Sequence, residues 1–337
     1  MEFVQKLIEE GKLPDAALRT LVRLLLKKRL YSLKRGPSVE AFVEEIKKAP
    51  LAVSVDAANE QHYEVPFEFY ERCLGKRMKY SSCYWPTGVL SLDEAEEQML
   101  ELTCKHADLK DGQDILELGC GWGSLTLWMA EKYPRSAIIA ISNSGSQREY
   151  IESQLRQRGL KNVQVLTCDM NEFQVSAEFD RIVSVEMFEH MRNYEELLKR
   201  IAGWLKSDGR LFVHIFTHHK YAYLFETEGA ANWMGRYFFT GGMMPSHDLL
   251  SRFPSHLKVE KDWVLSGKHY QKTAEAWLQN LEKYKMQLFP VLERIYGSGN
   301  HMLWFMRWKL FFMACAELFG FKDGQEWQVS HYLLRKV

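Results

Sequence analysis

The sequence has little from which to build a disulfide framework or a zinc site. Among 337 residues there are six cysteines, Cys73, Cys83, Cys104, Cys120, Cys168 and Cys315, and no two form a CxxC pair. It also has no excess of charge. Lys plus Arg and Asp plus Glu each number 44, for a formal net charge of zero. That balance excludes the basic field on which non-specific nucleic-acid binding depends. No apolar run approaches the ~18 residues of a membrane-spanning helix, and the most apolar stretch, Leu310 to Ala316, stops at Glu317. The opening Met-Glu-Phe has neither the basic nor the apolar region of a secretory signal. These absences predict a cytoplasmic protein with no nucleic-acid partner and no stable membrane association. What is abundant is apolar (46%) and aromatic (13%) side chain, enough for a large core and a lined pocket.

A helix is expected over residues 13–35, where Leu18, Leu21, Val22 and Leu25 recur at helical spacing after Pro14. Its other face carries Arg19, Arg23, Lys27, Lys28 and Arg29, which suits either a solvated helix face or a membrane surface. A short helix follows over 39–48. Residues 61–90, rich in Tyr, Phe and Trp, read as a cap. From residue 93 helices alternate with strands at 115–118, 138–141, 163–166, 181–185 and 210–216, with late strands at 257–264 and 327–334. Alternation of this kind implies an α/β fold, a largely parallel sheet of about seven strands with helices on both faces. The expected division is an N-terminal segment, 1–90, and a sheet domain, 91–337, interrupted by aromatic-rich helical inserts at about 217–250 and 268–322.

The run ILELGCGWGSLTL (115–127) is a strand, a turn with Gly119, Gly121 and Gly123, and a helix. Glycines there allow positive φ and close backbone approach, and the helix N-terminus offers free N–H groups. Dinucleotide sites prefer G-x-G-x-x-G, but Ser124 stands where the third glycine belongs. Glu117 followed by three alternate glycines fits S-adenosylmethionine (SAM) better, with Glu117 facing the methionine amine. The second strand ends in Ser142 and Asn143 instead of the usual acidic ribose ligand, leaving Gln147 as the nearest substitute. Asp169, Met170 and Asn171 follow the third strand, where an adenine would lie.

The fourth strand ends at Val185, and Glu186, Met187, Phe188, Glu189 and His190 follow. Chemistry gathers at the carboxyl ends of strands in open α/β sheets. If a helical turn begins here, Glu186, Glu189 and His190 share one face and perturb one another's pKa values. The His214, His218 and His219 run has no convergent carboxylate in sequence, and no metal site is expected.

The segments HYEVPFEFY (62–70), KYSSCYW (79–85), ILELGCGWGSL, FDRIVSVEMFEHMRNY (179–194) and ACAELFGFKDGQEW (314–327) resemble the cyclopropane-fatty-acid-synthase superfamily of SAM enzymes. RYFFTGGMMPS (236–246), GKHY (267–270) and EAWL (275–278) resemble its plant-type branch of coclaurine and related alkaloid N-methyltransferases. The resemblance implies a class I SAM-methyltransferase, Rossmann-like sheet. It also implies that Tyr80, Ser81, the glycine loop, Ser142, Gln147, Met170 and Asn171 approach SAM. Two chemistries remain open within it. The lipid synthases use a bicarbonate site resembling Cys, Glu, His and Tyr, with Gly at the position of Glu186. Here Ser82 stands where that Cys is expected, Glu189 and His214 are kept, and Leu310 or Phe311 replaces the Tyr. An amine methyltransferase needs a base, for which Glu186 and His190 are the candidates, with Glu189 orienting them. Tyr84, Trp85, Phe216, Trp233, Phe238, Phe239 and Trp304 are then expected to hold a flat arylalkyl amine. A non-catalytic SAM-binding module is the third possibility. A monomer or homodimer is expected.

Overall fold

The computed structural model describes residues 7–53, 65–229 and 232–337. The Met-Glu-Phe opening and residues 61–64 of the expected cap, Tyr63 among them, lie outside these.

Five parallel strands form the heart of the sheet: β1 (Asp114–Leu118), β2 (Ala137–Ser142), β3 (Val163–Thr167), β4 (Phe179–Val185) and β5 (Leu205–His218). Two short strands, β6 (Tyr223–Leu224) and β7 (Met243–Met244), pair with each other apart from it. The late strands β8 (Leu257–Leu265) and β9 (Trp327–Lys336) complete seven strands in the order β3-β2-β1-β4-β5-β9-β8. β9 runs antiparallel to both neighbours, between β5 and β8. The parallel strands are nearly continuous apolar runs because helices cover both faces; Ile115, Leu116, Leu118, Ile182 and Val183 are fully buried.

The helix Leu92–His106 begins at a capping box, in which Ser91 Oγ accepts from the Glu94 N–H and the Glu94 carboxylate bonds back to Ser91. Its buried Glu96 accepts the backbone N–H groups of Gly75, Arg77 and Lys79, and so fixes the loop that carries Tyr80 and Ser81. Two helices, Gly267–Lys283 and His301–Gly320, roof the carboxyl end of the sheet, within the second expected insert, and Lys285–Tyr296 packs against them from outside.

The first described long helix, Asp15–Leu33, buries Leu18, Val22 and Leu30. Its basic side is partly engaged in the fold. Arg19 makes a two-pronged bond to Glu275 at 2.6 and 2.8 Å and also reaches Glu317, whose carboxylate is met by Arg23 at 2.5 Å. These ion pairs join the N-terminal segment to the roof. Glu317→Ala is expected to lower stability by about 1 kcal/mol, because Arg23, a mostly exposed side chain, loses its partner and Arg19 keeps only Glu275; a urea midpoint unchanged from wild type would show that the Glu317 pairs add nothing to stability.

Candidate active site

One cavity opens at the carboxyl ends of β1, β2, β3 and β4, beneath the roof. Its floor is the glycine loop. Gly119, Gly121 and Gly123 all have positive φ, at 80°, 51° and 77°, a region that L side chains enter only with strain. The three glycines have different neighbours. A Cβ on Gly119 would lie 2.9 Å from Met187 and one on Gly123 only 2.6 Å from Ile151, whereas one on Gly121 would meet nothing within 4 Å. Gly119 and Gly123 therefore serve packing as well as conformation, and Gly121 leaves space beside the backbone.

Glu117 is buried on the cavity wall and accepts from Thr126 Oγ1 at 2.5 Å. Burial pushes its carboxyl up to about 7, against the Thr126 bond. Around it the hydroxyls of Ser124 and Thr103 and the indole N–H of Trp122 are buried on the cavity with no partner among the described residues. Ser142 donates to Gln147 Oε1 at 2.7 Å, and both line the cavity with Asp169 and Met170. Tyr80 and Ser81 line it too, Ser81 accepting from the buried Lys79 ammonium. Asn171 turns away: its side-chain oxygen accepts the Ala52 N–H at 3.2 Å, tying the N-terminal segment to the loop after β3.

At the end of β4 the expected helical face does not form. Glu186 has φ +48°, and the turn, a 3₁₀ one, begins only at Phe188. Glu186 still faces the cavity with Glu189 and His190, but its hydrogen-bonded imidazole is His214. Glu186 Oε1 accepts from the Ser82 N–H at 2.9 Å and lies 3.2 Å from His214 Nε2; Oε2 accepts from Tyr270 Oη at 2.7 Å. The His190 ring stacks on Phe239, 5.2 Å between centroids. Burial raises the Glu186 carboxyl, opposed by the nearby Lys79 charge and by the Ser82 and Tyr270 bonds. Glu189 is raised well above the carboxylate range by burial and by the neighbouring Glu186 charge, and its Oε2 has no partner among the described residues. Glu186 is thus the better ionised of the pair.

The aromatic candidates divide. Phe216 and Phe239 line the cavity. Five others are spent elsewhere. Tyr84 packs on His269 at 4.6 Å, and Trp85 donates its indole N–H to Thr273 at 3.0 Å. Phe238 stacks on Phe311 at 4.3 Å with Trp233 beside it, and Trp304 stacks on Tyr296 at 3.7 Å. The wall is instead completed by Phe225, Met234, Tyr270, Trp277, Phe311 and Phe319. Tyr270 and Trp277 fall in the GKHY and EAWL segments, so sequence placed them near a functional region without giving them a role.

The histidine run is split between two places. His214 belongs to Glu186, while His218 and His219 gather with Glu326, whose carboxylate is also paired with Lys322 at 2.6 Å.

The strand order, the glycine loop and the cavity above it define the class I SAM-methyltransferase fold. Over residues 53–329 the chain matches the model of the mycolic acid cyclopropane synthetase family, and it belongs to that family. It is 38% identical to (S)-coclaurine N-methyltransferase of Thalictrum flavum subsp. glaucum, over all of this chain and 96% of that one. It is 30% identical to the cyclopropane-fatty-acyl-phospholipid synthase of Escherichia coli K12, over 80% of this chain and 66% of that one. Among solved structures it is similar to coclaurine N-methyltransferase bound to N-methylheliamine and SAH, with a TM-score of 0.95, 34% identity and 99% of both chains covered.

Proposed function

We propose that the chain is a SAM-dependent N-methyltransferase acting on a small arylalkyl or tetrahydroisoquinoline-type amine. The observation that carries this reading is Glu186, a carboxylate held by Ser82, Tyr270 and His214 at an aromatic-walled cavity beside the glycine loop. The similarity to the coclaurine enzymes supports it. The lipid-synthase alternative has weaker support: Phe311 lines the cavity, and the Cys83 thiol is turned to the Ser81 carbonyl away from it.

The residues fit SAM. Ser124, Thr103 and Trp122 offer polar atoms with no partner among the described residues, Glu117 offers a carboxylate that a cation would ionise, and Gly121 leaves room at the backbone. When bound, SAM supplies a sulfonium methyl already activated for displacement. The chain's own task is to hold the amine in line, exclude water and remove its proton. Most alkyl amines arrive protonated at neutral pH. Glu186 attracts that cation and accepts its proton, with His190 beside it on the same wall; Glu189, which keeps its own proton, is free to donate to the amine's polar substituents or to Glu186. Phe216, Phe239 and Tyr270 give the cation aromatic faces. On the same reading the chain divides into N-terminal helices with a cap segment, 1–90, and a methyltransferase domain, 91–337, and the protein works in the cytoplasm as a monomer or homodimer.

Methylation of a panel of arylalkyl and tetrahydroisoquinoline amines tests this. Activity on none of them, with SAM bound, would overturn it. kcat/KM should rise with pH, because a raised carboxyl is a base only above its pKa and loses that role as pH falls through it. The rise should persist across amines of different basicity; a profile that follows amine pKa alone would reduce Glu186 to a positioning group. The divided aromatics give a separate check. Phe239→Ala should raise KM for the amine, while Trp85→Phe should leave KM unchanged and lower stability by about 1 kcal/mol through the lost Thr273 bond. The reverse pattern would move the amine to the other side of the cap.

A further inference from the structure

Glu186 is one end of a line of imidazoles. His214 Nε2 faces its Oε1 at 3.2 Å, His214 Nδ1 lies 2.8 Å from His331 Nε2, and His331 Nδ1 lies 2.8 Å from His106 Nδ1. The line follows the sheet register. His214 on β5 is paired with His331 on β9, and His331 with Trp263 on β8. His106, the last residue of the helix Leu92–His106, enters between them, its ring stacked on Trp263 at 4.0 Å and 9°. His214 and His331 have no exposed surface. His106 is only half-buried and lines a second, polar cleft with Lys105, Asp108, Arg181, Arg210, Glu260 and Lys261. Buried polar rings cost stability that an apolar core would not, yet both nitrogens of His214 and His331 find partners along this one path.

We propose that His214, His331 and His106 are a proton conduit, through which Glu186 exchanges its proton with the polar cleft while substrate fills the cavity. The inference rests on the amine reading above. Each N···N contact holds one proton, so the line has two polarities. In the outward passage the Glu186 carboxylate takes the proton of the bound ammonium and gives it to His214 Nε2. The Nδ1 proton of His214 passes to His331 Nε2, that of His331 Nδ1 to His106 Nδ1, and that of His106 Nε2 to water in the cleft. Glu186 is again a carboxylate, three neutral imidazoles remain with inverted tautomers, and one proton is in solvent. After product leaves, an inward passage restores the resting tautomers, and Glu186 gives the proton it receives to water in the open cavity. No ring need hold a charge. Burial lowers all three imidazole pKa values, and the Lys79 charge opposes imidazolium at His214 and His331 as Lys105 does at His106. Tyr270, Ser82 and Glu189 are the other groups around the inner end.

His106 is the point to test, because it is the most exposed member. His106→Gln keeps an amide beside His331 but cannot relay, and His106→Ala leaves room for imidazole from the buffer. Amine is mixed with enzyme holding S-adenosylhomocysteine, and proton release is followed with a pH indicator; turnover is measured in parallel. Release should be slower in His106→Gln, and kcat below the amine pKa should fall by up to about 10²-fold, as for loss of a proton-transfer group. The deficit should shrink above the amine pKa, where neutral amine binds and no proton need leave. Imidazole should restore His106→Ala. Wild-type proton release and kcat in His106→Gln would overturn the conduit, as would a deficit equal at every pH and unmoved by imidazole. If His106→Ala fails to fold, proton release in His106→Gln decides alone. A wild-type enzyme that methylates no amine would instead sink the functional reading.

Discussion

Glu186→Gly is expected to slow methyl transfer to an amine by about 10² to 10⁴-fold, the usual cost of losing a general base, while SAM affinity and the fold remain. Glu186 is not on the glycine loop, so cofactor binding has no direct reason to change. The backbone has a reason to tolerate the change. Glu186 sits at φ +48°, where a non-glycine residue is strained, and glycine relieves that strain. Against this stand the lost bonds from Ser82 and Tyr270. The two effects oppose each other, and net stability should stay within about 1 kcal/mol of wild type. The resemblance gives the lipid synthases Gly at this position, which is what a left-handed backbone favours in the absence of a carboxylate role. Retention of glutamate in a strained conformation is easiest to understand if the side chain is used. Glu186→Gln separates charge from shape; it should be as slow as the glycine variant. Wild-type turnover in either would remove Glu186 from the chemistry.

The second large effect lies on the cavity floor. Gly121→Val should reduce SAM affinity beyond easy measurement. A Cβ at 121 meets no protein atom within 4 Å, so it projects into space that the loop keeps open. A β-branched residue at φ +51° adds backbone strain of order 1–3 kcal/mol, so some loss of thermal stability accompanies the lost binding. Gly123→Ala is the contrasting variant. Its Cβ would crowd Ile151 at 2.6 Å, so it should lose stability first and affinity second. Calorimetric titration with S-adenosylhomocysteine beside thermal melts distinguishes them. Tight binding by Gly121→Val would sink the assignment of this loop.

The parallel strands were legible because their signal is local: the central ones, β1 and β4, are apolar runs buried on both faces, and β2 and the edge strand β3 keep a shorter apolar stretch. The strand bounds shift by a few residues, most at β5, which begins at Leu205, before the expected 210. The glycine loop was legible for the same reason, since positive φ and close approach leave glycines in the sequence. The partner of Glu186 was not. His190 is four residues away and invited a helical reading, but a positive φ at Glu186 turns the carboxylate toward His214 on the neighbouring strand and Tyr270, 84 residues on. Spacing carries no information about such pairings. The aromatic wall failed similarly. Composition shows that rings are plentiful, but only packing decides that Phe239 faces the cavity while Phe238, its neighbour, is stacked in the core on Phe311. Asn171 was placed by its position after β3, and what it bonds, Ala52, comes from a segment more than a hundred residues earlier.

The most direct test offers the wild-type protein SAM with tetrahydroisoquinoline-type amines in one reaction and with vesicles of unsaturated phospholipid in another, and reads both products by mass. The account predicts N-methylated amine, and no transfer to lipid. Modified lipid with untouched amine would contradict it.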